Sequence, residues 1–202
     1  MQDLIAGIHR FCPEHFRPAH GIFGRAVGDG KPQVLLIACS DLGLHPDALI
    51  PANPEDLYVL QNAGNVVAPH CAEAESRGCG VCAALGLYPV TEIVVCGHSH
   101  CGVMEALLEL EGVEPPSATR WREHAARTRV IVREHYRHLD GEPLRDALAG
   151  ENVLVQLENL LTIPAIMRSL DRGLMHLHGW VSKGGLIYAY GPHLGQFVPL
   201  AQ

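Results

Sequence analysis

The chain has 202 residues, 48% of them hydrophobic and 18% charged, with a formal net charge of −7. That length suits one α/β domain with a sizeable core, and the acidic balance, with no basic tract, argues against nucleic acid or an anionic membrane as partner. No apolar run reaches the roughly 18 residues that span a bilayer. The first residues lack a cationic then apolar leader pattern. Seven cysteines, an odd number not spread as a disulfide framework, fit reduced thiols in a cytoplasmic setting.

In chain order, Leu4, Ile5, Ile8 and Phe11 recur at helical spacing and predict an N-terminal helix over 3–16, within an arm of about 1–30. Val34–Ala38 is a short continuous apolar run, the signature of a strand buried on both faces, and it delivers Cys39-Ser40-Asp41 at its end. Asp56–Leu60 reads as a second strand, entered through the turn Pro51–Pro54 and leaving through Asn62-Ala63-Gly64-Asn65. A helix of small residues is expected over 73–88. Ile93–Cys96 is a third strand, running into Gly97-His98-Ser99-His100-Cys101-Gly102. Helices follow from Val103 to Leu110, over 119–139, and from Glu151 through Pro164 to Leu170. Strands Leu174–Val181 and Leu186–Tyr190, joined by Gly184-Gly185, close a single domain, 1–202.

Strands alternating with helices imply a mainly parallel central sheet flanked by helices. In such sheets functional groups gather at the carboxyl ends of the strands. Cys39 and Asp41 end one strand, and His98 and Cys101 follow another, so all four converge at one edge. Two thiolates and one imidazole leave one tetrahedral position open, which is how a catalytic zinc site differs from a closed structural one. Asp41 neighbours that open position, as a fourth ligand or as a hydrogen-bond acceptor.

These blocks resemble the β-class carbonic anhydrases, closest to their bacterial and cyanobacterial branch. The matching segments are Cys39-Ser40-Asp41, Pro46-Asp47, Asp56-Leu57-Tyr58-Val59, Asn62-Ala63-Gly64-Asn65, the run 94–102, the run 151–166 and His178-Gly179-Trp180. They span about residues 30 to 190. The resemblance implies one zinc ion per subunit on Cys39, His98 and Cys101, with N-terminal helices packed on the partner of a homodimer or dimer of dimers. It implies carbon dioxide and bicarbonate as substrates, reversible hydration as the reaction, and Asp41 as the catalytic carboxylate that aims the attacking hydroxide.

The sequence also departs from the family pattern. The usual Cys-Ser-Asp-Ser-Arg reads Cys39-Ser40-Asp41-Leu42-Gly43, so the arginine that pairs with the aspartate is replaced by Gly43, which offers no fork of donors. Without it Asp41 is expected to reach the metal and close the resting site. Gln61 stands where an arginine is usual; Gly30 and Ala83 fall where a glutamine and a tyrosine are common. Val181-Ser182-Lys183 follows the tryptophan where Tyr-Asp is usual. Gly43, Gln61, Ala63, Gly64 and Gly102 are the expected substrate-pocket residues. The alternatives to carbon dioxide hydration are a catalytically silent zinc-binding homologue and a hydrolase of a carbon dioxide-like substrate such as carbonyl sulfide or carbon disulfide.

Several further residues read as structural. His45 and His100 are read as solvent-facing loop histidines near the ligands, the alternative being a proton shuttle or a partner for Asp41. Cys79 and Cys82, at the spacing of a redox or zinc knuckle but with no second cysteine pair at a suitable distance, are read as ordinary buried helix thiols. Cys96 belongs to the core. His176 and His178 share one face of a strand as core or interface histidines.

Overall fold

The computed structural model describes residues 3–5, 7–17, 33–41, 56–69, 80–109 and 119–200. Its centre is a six-stranded sheet in the order β2-β1-β3-β4-β5-β6, formed by β1 (Val34–Cys39), β2 (Leu57–Asn62), β3 (Glu92–His98), β4 (His176–Lys183), β5 (Leu186–Gly191) and β6 (Gln196–Pro199). The first four strands in spatial order run parallel, and the last two are antiparallel additions. Every residue of β1 and β3 is buried, which explains why both read as unbroken apolar runs rather than as alternating patterns. Gly184 and Gly185, at φ 56° and 78°, form the two-residue turn between Lys183 and Leu186. Two consecutive positive φ values match the right-handed twist of the flanking strands, and glycine adopts them without steric cost.

Five helices are present among the described residues: α1 (Gly80–Leu87), α2 (Gly102–Glu109), α3 (Thr119–His135), α4 (Gly141–Leu161) and α5 (Pro164–Asp171). The spine is α4, whose residues from Asp146 to Leu157 are almost all buried. It lies across β3 and β4. Two glycines in those strands let it approach. A Cβ on Gly97 would stand 2.9 Å from Val153 Cγ2, and one on Gly179 would stand 3.0 Å from Leu157 Cδ1.

The structure corrects three expectations. Residues 3–16 are not a helix; the described part is irregular, with one short 3₁₀ turn at Pro13–His15. Its backbone groups are spent on distant side chains instead. Leu4 N–H donates to Gln196 Oε1 at 2.8 Å, and Gln196 Nε2 donates to Leu4 O at 2.9 Å. Ile5 N–H donates to Tyr136 Oη at 3.0 Å. Gly7, at φ 87°, breaks helical continuity. In this structure the segment packs on its own chain; the expected arm beyond residue 17 lies outside the described residues.

The second correction concerns the helix expected from Glu151 to Leu170. It starts ten residues earlier, because Pro143 falls in the first turn, where a missing N–H costs nothing. It then breaks at Thr162-Ile163, and α5 leaves at 90° to α4. Pro164 disfavours a helical residue before it, and Ile163 accordingly takes φ −83°, ψ 114°. Third, β6 was not anticipated. The remaining elements lie within a few residues of expectation, and only the Gly80–Leu87 part of the helix expected over 73–88 is described. Pro51–Pro54, His45, Gly30, Pro46-Asp47 and Cys79 fall outside the described residues. Among the described residues no single helix is long and apolar enough to cross a membrane.

Candidate metal centre

The chain leaves β1 to form β2 on one side of it, and leaves β3 to form β4 on the other. Between the carboxyl ends of β1 and β3 the two connections therefore diverge, opening the crevice in which sheets of this kind hold ligands. Cys39 is the last residue of β1 and His98 the last of β3. Cys101 follows three residues on, at the mouth of α2. One donor atom from each of these three buried residues lies within 4.8 Å of the others.

The donor atoms are prepared by their neighbours. Cys39 Sγ accepts from Gly64 N–H at 3.2 Å and from Asp41 N–H at 3.4 Å, and lies 3.6 Å from Cys101 Sγ. The Cys101 thiol, then the nearby His98 ring and the two amides, hold the Cys39 thiol well below its usual range, at about 4, against burial that would raise it. Cys101 is pushed up, first because it serves as hydrogen-bond donor to Cys39 and then by burial. Burial alone would lower the His98 imidazole; the Cys39 sulfur beside it turns the shift upward. His98 Nδ1 donates to Ser99 O at 3.0 Å, which leaves Nε2 as the free donor. That buried Nε2 has no hydrogen-bond partner. An unpartnered imidazole nitrogen facing two close sulfurs, one poised as thiolate, is a donor set that fits zinc.

Around this triad, the expected residues take distinct places. Asp41 is exposed at the rim, and its Oδ2 accepts from Gly102 N–H, the first amide of α2, at 2.9 Å. A Cβ on Gly102 would stand 3.3 Å from that oxygen. Asp41 is not among the three residues whose donors converge. Gly64, at φ 74°, directs its N–H onto Cys39. Gln61 is exposed beside Ala38 in the β1–β2 register, and Ala63 opens the 3₁₀ turn Ala63–Asn65. Gly43 lies outside the described residues. His100, at φ 57°, points outward to Glu142 at 2.9 Å. His178 Nε2 is held by Glu92 Oε2 at 2.8 Å, and Glu92 also faces His176 Nδ1 at 3.7 Å, so both strand histidines belong to a core cluster as expected. Cys96 is fully buried, and burial pushes its thiol to about 12.

Two groups of residues escaped the sequence reading. The first is a polar stripe on α4. Asn152 Nδ2 donates to Gly64 O at 2.9 Å, and Gln156 Nε2 donates to Asn152 Oδ1 at 3.0 Å. Gln156 Oε1 accepts from Val67 N–H at 2.8 Å, and Asn159 Nδ2 donates to Val67 O at 2.9 Å. These bonds hold the turn that aims Gly64 at Cys39. Its signal is three amide side chains at i, i+4 and i+7 on one face of the helix. The second is Ser99 with Asp146 and Lys183, which carries no local signal.

A mainly parallel α/β sheet with a Cys-His-Cys donor set at its switch point has the arrangement of a zinc-binding α/β protein. Comparison narrows that class. Residues 34–184 match the family model for carbonic anhydrase. A carbonic anhydrase of Synechocystis is 38% identical over 98% of this chain and 74% of its own length, and one of Pseudomonas aeruginosa is 35% identical over 100% and 93%. The solved β-carbonic anhydrase CcaA superposes with a TM-score of 0.73 at 37% identity, over 85% of this chain and 78% of its own. A tetrameric β-carbonic anhydrase of Sordaria macrospora shares the fold at 22% identity, with a TM-score of 0.63. The chain belongs to the carbonic anhydrase family and has its β-class fold.

Proposed function

We propose that this chain catalyses the reversible hydration of carbon dioxide to bicarbonate, with one zinc ion per subunit on Cys39 Sγ, His98 Nε2 and Cys101 Sγ. The observation that carries the reading is the convergence of those three donors, with the imidazole nitrogen buried and otherwise unpartnered. When bound there, zinc brings the pKa of a water molecule towards neutrality and so supplies the nucleophile that carbon dioxide needs.

The remaining work falls to the chain. The Gly64 and Asp41 amides stabilise negative charge on the Cys39 sulfur. The Asp41 carboxylate is the acceptor that orients the reacting water and takes its hydrogen bond. The Gly102 N–H secures one of its oxygens, Oδ2. Among the described residues the bond recorded to its side chain is that one neutral amide, so Asp41 would be able to turn to a bound zinc as a fourth ligand; the resting site would then be closed and activity would depend on its release. Gln61, Ala63, Gly64 and Gly102 line the substrate approach. The small size of Ala63, Gly64 and Gly102 suits a small linear molecule. The family resemblance supports a homodimer or dimer of dimers, and the free state of the five described cysteines fits a cytoplasmic setting.

Metal analysis of purified protein with stopped-flow carbon dioxide hydration tests the reading. One zinc per subunit and a hydration rate abolished by Cys39→Ser are expected. Stoichiometric zinc with no hydration at any pH from neutral to alkaline overturns the activity, and sulfide release from carbonyl sulfide would then identify a hydrolase. X-ray absorption at the zinc edge decides the resting ligand set: two sulfurs, one nitrogen and one oxygen whose signal changes in Asp41→Ala is the closed site.

A further inference from the structure

The ring of a metal-binding histidine is only as well oriented as the group that holds its second nitrogen. Here that group is the carbonyl of Ser99, the residue after the ligand. Ser99 is itself secured from two other elements. Its N–H donates to Ser182 O on β4 at 2.9 Å, and its hydroxyl donates to Asp146 Oδ1 on α4 at 3.3 Å. Asp146 is a carboxylate with only 4% of its surface exposed. Its other oxygen takes Lys183 Nζ, at the end of β4, at 2.5 Å. One buried carboxylate thus joins the ligand-bearing turn, the central helix and the final parallel strand, and an ammonium reaching in from the surface balances its charge.

We infer that Asp146 and Lys183 are positioning residues for the metal centre, acting through Ser99 on the orientation of His98. Three features point there. Nothing else in the described structure bonds to the Ser99 hydroxyl, so the carboxylate fixes the rotation of that residue. A buried carboxylate is costly unless charge and hydrogen bonds compensate it, so its presence here calls for a role that an apolar residue would not fill. The register sets His98 directly beside Ser182, so a displacement of the β4 end after loss of the Lys183–Asp146 pair passes by one hydrogen bond to Ser99 and by the next to the ring. Lys183 also accounts for one of the departures after Trp180: the lysine is the partner that Asp146 requires.

The inference rests on the zinc reading above, and its test separates the two. Zinc affinity is measured by chelator competition in the wild type and in Ser99→Ala, Lys183→Met, Lys183→Arg and Asp146→Asn, alongside the d–d spectrum of each cobalt-loaded protein and the melting temperature of each metal-free one. Loss of such outer partners elsewhere costs roughly 10–100-fold in metal affinity. Lys183→Met and Asp146→Asn are expected to weaken zinc binding by about tenfold or more and to shift the cobalt bands. Ser99→Ala is expected to weaken it less, because the Lys183–Asp146 pair still holds the end of β4 and with it the bond from Ser99 N–H to Ser182 O, and Lys183→Arg to restore both readouts. Lowered melting with zinc affinity and cobalt bands unchanged makes the cluster structural only and overturns the inference. A wild type that binds no zinc overturns the zinc reading and the inference together. Should Asp146→Asn fail to fold, the partly exposed Lys183 and Ser99 variants decide the matter.

Discussion

His9 sits between two carboxylates of α4, with Nε2 2.6 Å from Glu151 Oε2 and Nδ1 3.0 Å from Glu158 Oε1. Glu151 also accepts from Tyr136 Oη, which in turn accepts from Ile5 N–H, so one acid–imidazole cluster binds the N-terminal segment to the central helix. Burial alone would lower the imidazole pKa. The bonds to Glu151 and then Glu158 overcome it and raise the value from the ordinary 6.5 to about 9. At about 1.4 kcal/mol per pH unit, the charged form is worth about 3 kcal/mol to the folded chain. Because the folded value lies above the unfolded one, that stability is fully present below pH 6.5 and is lost as pH rises through 9.

The measurement is urea unfolding of the wild type and His9→Ala at closely spaced pH values from 6 to 10. The difference between the two curves cancels what other groups contribute, the metal ligands included. That difference is expected to be largest near pH 6 and to shrink by about 3 kcal/mol by pH 10. A difference constant across the window would refute the claim that His9 is held as a cation between the two acids.

Three further outcomes are expected. Gly97→Val drives a branched side chain against Val153 Cγ2 and the Ala149 carbonyl, and should cost roughly 1–3 kcal/mol in chemical denaturation. Gly64→Ala puts a side chain at φ 74° and toward Met104 Cε; a loss of about 1–2 kcal/mol is expected, together with weaker zinc binding in chelator competition, because the same residue aims its amide at Cys39. Gly43→Arg restores a bidentate partner for Asp41 and should raise the hydration rate at neutral pH by an order of magnitude or more; an unchanged rate would show that release of Asp41 is not limiting.

The strands that carry the ligands were readable because burial on both faces writes itself into the chain as an unbroken apolar run, as in Val34–Ala38 and Ile93–Cys96. The convergence of Cys39, His98 and Cys101 was readable because these residue types are chemically distinctive and fall at strand ends. Elsewhere local pattern and tertiary demand disagree. The apolar spacing of Leu4, Ile5 and Ile8 suggests a helix, yet Leu4 and Ile5 spend their amides on Gln196 and Tyr136, partners more than a hundred residues away. The start of α4 is concealed by Gly141, Pro143 and Gly150. Gly150 is tolerated in mid-helix, where a Cβ would stand 3.3 Å from a Phe197 ring atom and 3.4 Å from Leu4. β6 is four residues long and ends in proline. The Ser99–Asp146–Lys183 link joins three elements, and no window of neighbouring residues contains it.

The parallel pairing of β1 with β3 has a temporal consequence. Cys39 and His98 belong to strands separated in the chain by the whole of β2 and α1, and they face one another only when Val34 lies against Glu92 and Ala38 against Cys96. A slip of a single residue would turn the β1 side chains to the opposite side. Pairings of such long sequence separation form late, since loop closure must precede any reward. On the zinc reading, competence to capture the ion arrives with the finished sheet, and the rate of metal uptake by a refolding chain would be a clock for completion of its slowest contacts.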